Sequence, residues 1–274
     1  MDKHGQRRAL RSARARDGGP HVSQRDSRTP RAGCRGVRCQ QPLRRRGSIG
    51  EGGMSTIWEV LDTVTGELVA LKRLRSPSDG KRASRMRALF EREYLTLAQL
   101  AHPRVVEVHD YGVDREGPWY TMELLAGGDL NGLAPVEWKR ACAWIRDICS
   151  ALSLLHARQL VHRDVSPRNI RCTGNGLAKL IDFGAMTPMG PCRHVVGTPP
   201  ICPPEVANRG DLDARSDLFS LGCTFYHALT GRHAYPARDF AQLPMAWNNE
   251  TFRPFVSRPK PDLAAASTVR ASRH

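Results

Sequence analysis

Three side chains in the middle of the chain, Asp164, Asn169 and Asp182, have the types and spacing for metal or proton chemistry. Short apolar runs at residues 170–172 and 177–181 are separated by Gly-Asn-Gly, a sequence typical of a β-hairpin turn. Such a hairpin would fold Asp182 back beside Asn169 and Asp164. Two carboxylates and an amide suit a hard cation with oxygen ligands, Mg²⁺ in particular. Each residue taken alone would also fit a polar loop or a helix cap.

The residues around these side chains form two ordered motifs. His-Arg-Asp-Val-Ser-Pro-Arg-Asn at 162–169 and Asp-Phe-Gly at 182–184 resemble the catalytic loop and the metal-binding segment of protein kinases. The resemblance implies that Asp164 is the base that takes the proton of the acceptor hydroxyl. It also implies that Asn169 and Asp182 hold the Mg²⁺ ions that bridge the phosphates of ATP.

The segment 49–60 places β-branched residues on both sides of a glycine cluster, which predicts a strand, a tight turn and a second strand. Glycines let the backbone approach a phosphate closely, with amide N–H groups as donors; a plain hairpin is the alternative. The segment resembles the kinase glycine-rich loop, with Gly50 and Gly52 at its first two glycine positions. Ser55 occupies the third, a departure that should stiffen or displace the loop tip.

Lys72 lies inside the apolar run 68–74, which resembles the kinase strand Val-Ala-Ile-Lys. The resemblance implies that Lys72 contacts the α- and β-phosphates of the nucleotide. A lysine at a strand edge that reaches solvent is the alternative.

Residues 84–100 give an independent indication about Lys72. Apolar side chains recur there with a 4-3-4-3 spacing, and Glu93 occupies the one gap. A carboxylate on the buried face of an amphipathic helix is costly unless it meets a cation. We therefore predict an ion pair between Glu93 and Lys72; the alternative is that Glu93 lies at the margin of the stripe and reaches solvent.

Two strand-like runs, Val105–Val108 and Trp119–Leu125, come next. The resemblance implies a hinge between two lobes at the end of the second run, with backbone groups near Glu123 and Leu125 on the adenine edge and Met122 behind it. The residues that the resemblance places around the nucleotide are Ile49, Gly50, Gly52, Gly53, Ile57, Ala70, Lys72, Met122, Glu123 and Leu125.

Pro135 is predicted to open a long helix, since proline is favoured at the first helical position. The apolar face of that helix is predicted from its spacing to carry Trp138, Cys142, Ile145, Cys149, Leu152 and Leu155. On this interpretation Cys142 and Cys149 are core residues rather than metal ligands.

Residues 197–205 resemble the end of the activation segment of serine/threonine kinases, with Pro203 in place of the usual alanine. The helix that follows carries Asp217 in its first turn, where a carboxylate favours the helix dipole. The resemblance implies that Asp217 braces the catalytic loop and that the hydroxyl of Thr198 hydrogen-bonds Asp164.

Thr187 is the only hydroxyl residue between Asp182 and Gly197, and it is therefore a candidate phosphorylation site. In the family, the arginine before the catalytic aspartate, here Arg163, usually receives a phosphate from this segment. The alternative is that Thr187 lies too close to the Asp-Phe-Gly turn to reach it.

The catalytic loop and the C-terminus depart from the family pattern. Ser166 stands where serine/threonine kinases have a lysine that neutralises the transferring phosphate, and Arg168 is the candidate replacement, as in tyrosine kinases with an arginine just before their asparagine. After Pro254 the chain is rich in Arg, Pro, Ala and Ser where the family adds further helices. Glu205 is therefore expected to lack its usual arginine and to be without a partner.

Positive charge is concentrated at the N-terminus. Residues 1–46 hold thirteen Arg and one Lys against three Asp, which is +11 of the formal +15 of the 274-residue chain. Residues 1–42 are predicted to be a disordered Arg-rich tail, because so few aliphatic residues cannot repay the entropy of ordering. Without an aromatic residue for stacking, the tail could bind a polyanion only non-specifically, and no specific nucleic acid is expected.

The eight cysteines include no Cys-x-x-Cys pair, and they are interpreted as reduced thiols of a cytoplasmic protein. No apolar run approaches the ~20 residues needed to cross a bilayer, and no signal peptide is visible, so that no membrane partner is expected.

Taken together, the motifs predict an α+β, two-lobed fold like that of protein kinases. The kinase domain is predicted at 43–257, with a small antiparallel β N-lobe at 43–123, a mainly helical and incomplete C-lobe at 126–257, and a basic low-complexity tail at 258–274. The predicted catalytic residues are Asp164, Lys72, Glu93 and Arg168, and the predicted metal ligands are Asn169 and Asp182.

The resemblance implies a function in signalling, the transfer of phosphate from Mg-ATP to a serine or threonine of an unidentified protein, as in bacterial serine/threonine kinases. One alternative is a catalytically weak pseudokinase or ATP-binding scaffold from a truncated gene. Another is a polyanion-binding protein that acts through the Arg-rich tail.

Overall fold

A computed structural model describes residues 43–52, 54–75 and 80–248. The Arg-rich tail, Gly53 and the basic tail at 258–274 lie outside the described residues. The strands are β1 (Leu43–Glu51), β2 (Ser55–Asp62), β3 (Leu68–Leu74), β4 (Val108–Asp114), β5 (Gly117–Glu123), β6 (Leu160–Val161), β7 (Ile170–Cys172), β8 (Ala178–Leu180), β9 (Thr187–Pro188), β10 (Gly190–Pro191) and β11 (Asp211–Leu212). The α-helices are α1 (Gly80–Gln99), α2 (Leu130–Leu133), α3 (Trp138–Ala157), α4 (Pro204–Ala207), α5 (Ala214–Thr230) and α6 (Leu243–Asn248), with short 3-10 helices at Pro199–Ile201 and Phe240–Gln242.

The N-terminal lobe is a five-stranded antiparallel sheet in the order β1-β2-β3-β5-β4. Every residue of β3 after Leu68 is buried, and because successive side chains point to opposite faces, both faces of this central strand are covered. The register places Lys72 opposite Ile57 on β2 and Tyr120 on β5. Lys72 is thus held in the middle of the sheet rather than at an edge.

The predicted amphipathic helix is α1, which packs against the sheet through Phe90 and Leu97. Phe90 contacts Tyr120 of β5, with ring centroids 5.1 Å apart. Glu93 lies on the same buried face, so the gap in the apolar stripe faces the sheet as predicted.

The C-terminal lobe is mainly helical, and α3 and α5 lie at its centre. α5 is capped at its start by Asp213, whose side chain accepts from the amide of Arg215, and it ends at Gly231 in the left-handed conformation, with φ 69°. The order of a sheet followed by helices confirms the predicted α+β class with two lobes.

The predicted apolar face of the long helix is confirmed at Leu152 and Leu155 and wrong at Trp138 and Cys142. The helix α3 begins at Trp138, three residues after Pro135, and Trp138 is 54% exposed while Cys142 is exposed and Cys149 only partly buried. The residues that α3 buries are Ala141, Trp144, Asp147, Ile148, Ala151, Leu152 and Leu155. The alanines of this face are buried although they are small, and a search for large apolar residues overlooks them.

The prediction of a strand at Val105–Val108 is also wrong for most of its length, because β4 begins only at Val108. Val105 forms an isolated parallel bridge with Leu180 of β8, and the amide of Val106 donates to the carbonyl of Leu180 at 3.0 Å. This apolar run therefore joins the two lobes instead of adding to the sheet.

The hairpin that was predicted from Gly-Asn-Gly is confirmed. β7 and β8 pair antiparallel with Ile170 opposite Leu180, and all four apolar ends of the pair are fully buried. The amide of Ile181 then donates to the carbonyl of Asn169 at 2.9 Å. The chain leaves the hairpin at Asp182, next to the end of the loop that holds Asp164.

Candidate active site

The backbone of the loop at 162–169 is hydrogen-bonded to Asp217, a fully buried carboxylate in the first turn of α5. Its oxygens accept from the amides of His162 at 2.9 Å and Arg163 at 2.8 Å. His156 of α3 contacts the same carboxylate at 2.9 Å. Arg163 has φ 71°, a left-handed conformation that non-glycine residues rarely adopt. The hydrogen bonds that Asp217 accepts from the amide of Arg163 and from that of the preceding residue stabilise the turn, as the resemblance implied.

Asp164 is oriented by hydrogen bonds to both of its carboxylate oxygens. One oxygen accepts from the amide and the hydroxyl of Thr198, at 3.0 and 2.8 Å. The other accepts from the side-chain nitrogen of Asn169 at 2.7 Å. Burial raises the pKa of Asp164, and the hydrogen bonds from Thr198 and Asn169 oppose that shift. The predicted contact between Thr198 and Asp164 is therefore confirmed.

Lys72 is buried and pairs with two carboxylates. Its ammonium donates to Glu93 of α1 at 2.8 Å and to Asp182 at 3.2 Å, so the ion pair predicted from the helix spacing is confirmed. Burial disfavours the ammonium, but the two carboxylates outweigh this effect and raise the pKa of Lys72 well above its ordinary value. Burial raises the pKa of Glu93, while the attraction of Lys72 opposes it. The ammonium and the carboxylate lie 2.8 Å apart, a distance typical of a charge-assisted hydrogen bond.

Asp182 lies where the two lobes meet. Its backbone has φ 60°, which turns its carboxylate toward Lys72. The charge of Lys72 lowers the pKa of Asp182 against the opposing effect of burial. Its side chain is 49% exposed, so the ionised carboxylate also faces the open side of the site. An ionised and accessible carboxylate is a suitable ligand for a hard cation.

The residues predicted to surround a nucleotide lie on neighbouring strands of the sheet. Gly50 faces Ile57 across β1 and β2, and the turn between these strands is closed by a hydrogen bond from the amide of Gly52 to the carbonyl of Ser55 at 2.8 Å. Ala70 faces Met122 across β3 and β5. Of the remaining described members of the predicted set, Ile49 lies on β1 and Lys72 on β3. Glu123 is the last residue of β5, and Leu125 follows that strand.

The loop that follows β5 is anchored to the C-terminal lobe by side chains that the sequence did not single out. Lys179 of β8 forms an ion pair with Glu123, and the guanidinium of Arg171 donates to the carbonyl of Leu125 at 3.3 Å. Both residues of the predicted hinge, Glu123 and Leu125, are therefore bonded to the β7–β8 hairpin.

Tyr120 is a residue of the site that sequence reasoning missed. Its hydroxyl donates to Glu93 at 3.2 Å, and its ring lies 5.8 Å from the ammonium of Lys72. Burial raises the pKa of Tyr120 well above its ordinary value, so that it remains a neutral donor. Because side chains alternate along a strand, Tyr120 lies on the same face of β5 as Met122. This alternation is the sequence pattern from which Tyr120 could have been predicted as a residue of the site.

Ser166 and Arg168 occupy different environments in the catalytic loop. Ser166 is buried. Its amide donates to the carbonyl of Asp164 at 2.9 Å, and its carbonyl accepts from the amide of Asn169 at 3.0 Å. Arg168 is exposed at the surface of the loop. An exposed guanidinium has the freedom to meet a negatively charged group that approaches Asp164.

Glu205, at the start of α4, was expected to have no partner, and this prediction is wrong. The hydroxyl of Ser216 in α5 donates to Glu205 at 2.6 Å. The fold supplies a local hydroxyl from the first turn of α5, a contact that requires two segments distant in sequence to meet.

Thr187 lies in β9, opposite Val161 of β6. Thr187 and Arg163 line the same cavity of about 480 Å³, together with Arg92 and Arg193. The guanidinium of Arg163 donates to the carbonyl of His194 and contacts the sulfur of Cys192 at 3.6 Å. That a phosphate on Thr187 meets Arg163 across this cavity stays a prediction.

The site brings two carboxylates, an ammonium and a hydroxyl together between a sheet and a helical lobe. The family model for "Protein kinase domain" matches residues 43–262. Curated relatives include the "Probable serine/threonine-protein kinase CE0033" of Corynebacterium efficiens, 36% identical over 200 residues, which are 68% of this chain and 30% of that protein. The "DNA damage-responsive serine/threonine-protein kinase RqkA" of Deinococcus radiodurans is 36% identical over 196 residues, 67% of this chain and 29% of the relative. The "Serine/threonine-protein kinase PknE" of Mycobacterium tuberculosis is 34% identical over 231 residues, 80% of this chain and 40% of the relative.

The chain belongs to the protein kinase family. It is similar to bacterial serine/threonine kinases, and it spans about 30 to 40% of the length of the relatives described here. Among the described residues, no helix is long and apolar enough to cross a membrane. The six cysteines in this part of the chain are free thiols.

Proposed function

We propose that this chain transfers the γ-phosphoryl group of ATP, with Mg²⁺ as the metal ion, to a serine or threonine hydroxyl of a protein. The observation that carries the proposal is the joint placement of Asp164, Lys72 and Asp182. Asp164 is held by Thr198 and Asn169, while Lys72 bridges Glu93 and Asp182 across the two lobes. Every residue that the proposed reaction needs to handle phosphate and metal is present in the sequence, which supports a kinase over a catalytically weak pseudokinase.

In this mechanism, Asp164 accepts the proton of the acceptor hydroxyl, and Thr198 keeps its carboxylate aimed at that hydroxyl. Lys72 would contact the α- and β-phosphates, with Glu93 fixing the position of its ammonium. Ile57, Ala70 and the segment from Met122 to Leu125 would enclose the adenine.

The donor set fits Mg²⁺. No cluster of three or more His, Cys, Asp or Glu residues suited to a metal is found among the described residues. A cation bound by Asn169, Asp182 and phosphate oxygens is consistent with that finding, because Mg²⁺ is commonly held by one or two protein ligands and by substrate phosphates. When bound, the ion would neutralise charge on the phosphates. Arg168 would supply a positive charge for the transferred phosphate, which the uncharged side chain of Ser166 cannot supply.

The proposed location is the cytoplasm, since free thiols and ATP are both typical of that compartment. Protein substrates follow from the family, while non-specific binding of a polyanion by residues 1–42 remains a prediction about a segment outside the described residues.

The proposal is tested with radiolabelled ATP, Mg²⁺ and a generic protein acceptor. Asp164→Asn and Asp182→Asn should each abolish phosphate transfer, because the first removes the base and the second a metal ligand. Only Asp182→Asn should clearly weaken the binding of Mg-ATP. The matched control is Asp110→Asn at an exposed position of β4, which should leave transfer unchanged. Transfer at the wild-type rate in either active-site variant would overturn the proposal.

A further inference from the structure

Tyr120 of β5 is a buried polar side chain whose hydrogen-bond partner is charged. It is 1% exposed, and its hydroxyl donates to Oε1 of Glu93 at 3.2 Å. The ammonium of Lys72 donates to the same oxygen at 2.8 Å. One carboxylate oxygen of α1 therefore accepts hydrogen bonds from two buried donors, which lie on two neighbouring strands of the sheet.

The pairing of the strands places the phenol of Tyr120 beside Lys72. The two residues are directly opposite each other in the antiparallel register of β3 and β5, and side chains in such a position lie on the same face of a sheet. The ammonium of Lys72 is 5.8 Å from the centroid of the Tyr120 ring. The sheet alone therefore brings the hydroxyl and the ammonium close enough to share one carboxylate.

Two aromatic side chains of α1 hold the ring of Tyr120 in this orientation. Phe90 and Tyr94 are four residues apart and lie on one face of the helix, and their ring centroids are 5.1 and 5.8 Å from that of Tyr120. Glu93 lies on the same turn of α1 as these rings. To turn its hydroxyl away from Glu93, Tyr120 would have to break the packing between helix and sheet.

Moving Glu93 away from the sheet would deprive both donors of this acceptor. Lys72 would keep its contact with Asp182 at 3.2 Å, whereas the hydroxyl of Tyr120 would lose the carboxylate to which it donates. A hydrogen bond to a charged group is stronger than one between neutral groups, and a buried donor without its acceptor is costly. The hydroxyl of Tyr120 therefore favours the arrangement in which Glu93 is held against Lys72. A phenylalanine would fill the same space without contributing this bond.

We propose that Tyr120 is a positioning residue for the binding of the nucleotide. Its hydroxyl keeps the carboxylate of Glu93 on Lys72, and this keeps the ammonium where it can contact a phosphate. The role rests on the proposed function, because it assumes that Lys72 binds the phosphates of Mg-ATP. Tyr120 acts through Glu93, so that its hydroxyl is needed only while that carboxylate is present.

The first experiment removes the hydroxyl and keeps the ring. Tyr120→Phe should raise the KM for ATP about tenfold, the lower end of the range for a hydrogen bond to a charged group, and leave the KM for the protein acceptor unchanged. A mere loss of folded protein lowers kcat alone, so the rise in the KM for ATP is the result that a purely structural role would not give.

Tyr94→Phe is the matched control. It removes a hydroxyl from the same group of packed rings, but this hydroxyl donates to the carbonyl of His109 at 3.0 Å and not to Glu93. The KM for ATP of Tyr94→Phe should therefore equal that of the wild-type protein. Steady-state phosphate transfer with varied ATP is the measurement for both variants.

The second experiment measures binding without catalysis. Isothermal titration calorimetry of Mg-ATP into the Asp164→Asn protein gives a reference Kd, which the addition of Tyr120→Phe should weaken about tenfold. The same pair is then compared after Glu93→Ala. Because the hydroxyl then has no carboxylate to hold, Tyr120→Phe should leave the Kd unchanged in that background, whereas an effect of ring packing would be the same in both.

The outcomes separate the role of Tyr120 from the proposed function. An unchanged KM and Kd for ATP in Tyr120→Phe, with transfer intact, would overturn the role of Tyr120 and leave the kinase function standing. An equal effect of Tyr94→Phe, or an undiminished effect of Tyr120→Phe after Glu93→Ala, would also overturn that role. Absence of transfer to every protein acceptor, with the differences in Mg-ATP binding as expected, would overturn the proposed function and support the role of Tyr120 in nucleotide binding.

Discussion

At the scale of single residues, the site depends on how Asp164 is oriented. A general base works only if its oxygen lies within hydrogen-bond reach of the proton that it abstracts. The donors on Asp164 come from two directions, with Thr198 on one oxygen and Asn169 on the other. Thr198 lies in the stretch that resembles the end of the activation segment, so the position of Asp164, the proposed base, is tied to the conformation of that segment.

Replacing Thr198 tests this dependence. Thr198→Ala removes the hydroxyl bond to Asp164 and keeps the amide bond, so kcat should fall by roughly ten- to a hundredfold, as expected for a misplaced catalytic group. Thr198→Ser retains the hydroxyl and serves as the matched control, with kcat within about threefold of the wild type. Steady-state phosphate transfer at saturating ATP is the measurement. Equal rates in the alanine and serine variants would contradict the role assigned to the hydroxyl.

The pairing of Lys72 with Glu93 could be predicted from the sequence because both residues sit inside apolar patterns. An acidic residue in a buried stripe requires a cation, and the adjacent strand offered one. Tyr120 could not be assigned in the same way. A tyrosine in a strand is compatible with any apolar environment, and its hydroxyl bond to Glu93 arises only from the packing of α1 on the sheet.

At the scale of secondary-structure elements, α5 is the support of the catalytic loop. Asp217 accepts hydrogen bonds from two backbone amides of the loop, and the hydroxyl of Thr224 donates to a carbonyl further along the loop. Asp217→Ala would leave the amides of His162 and Arg163 buried without acceptors, at a cost of about 1–3 kcal/mol each.

Urea unfolding should therefore give a loss of about 2 to 6 kcal/mol for Asp217→Ala, together with a large loss of kcat. Asp213→Ala on the same helix is the control, because it removes a helix cap worth about 1 kcal/mol but no bond to the loop. Its kcat should remain close to the wild-type value. A fully active and stable Asp217→Ala protein would show that α5 does not brace the loop.

The activation segment provides a second test at this scale. A phosphate on Thr187 would enter the cavity that Arg92, Arg163 and Arg193 line, and such a group forms strong charge-assisted bonds with guanidinium donors. Mass spectrometry of protein incubated with Mg-ATP should find phosphate at Thr187, and Thr187→Ala should lower activity. Thr63 in the turn after β2 offers a matched threonine for Thr63→Ala. An unmodified protein with full activity would rule out this switch.

The elements themselves were predicted unevenly, for identifiable reasons. The β7–β8 hairpin follows from local turn chemistry and was found. The buried face of α3 was partly misplaced because Cys142 is apolar by type while Ala141 is neutral, and only tertiary packing decides which of the two is buried. The apolar run from Val105 has the local pattern of a strand. Its actual partner, Leu180, lies in the other lobe, and a local pattern carries no information about so distant a contact.

At the scale of the whole molecule, the two lobes meet through a small number of polar contacts. Lys72 of the sheet pairs with Asp182, and Glu123 pairs with Lys179 of the β7–β8 hairpin. The buried run at Val105 adds backbone bonds to Leu180. A nucleotide bound by Lys72 on one side and, through the metal ion, by Asp182 on the other would add a further connection.

Binding of Mg-ATP should therefore raise the melting temperature. A ligand at a hundred times its Kd stabilises the folded state by about 2.7 kcal/mol, which for a domain of this size corresponds to a rise of about 5 to 10 °C. Differential scanning fluorimetry with ATP and Mg²⁺, with ATP and EDTA, and with Mg²⁺ alone separates the contributions of nucleotide and metal. Asp164→Asn removes no metal ligand and should keep the full rise, whereas Asp182→Asn should lose the part that depends on Mg²⁺. A melting temperature indifferent to nucleotide in the wild-type protein would contradict the placement of ATP between the lobes, and an unchanged Mg²⁺-dependent rise in Asp182→Asn would remove Asp182 from the metal site.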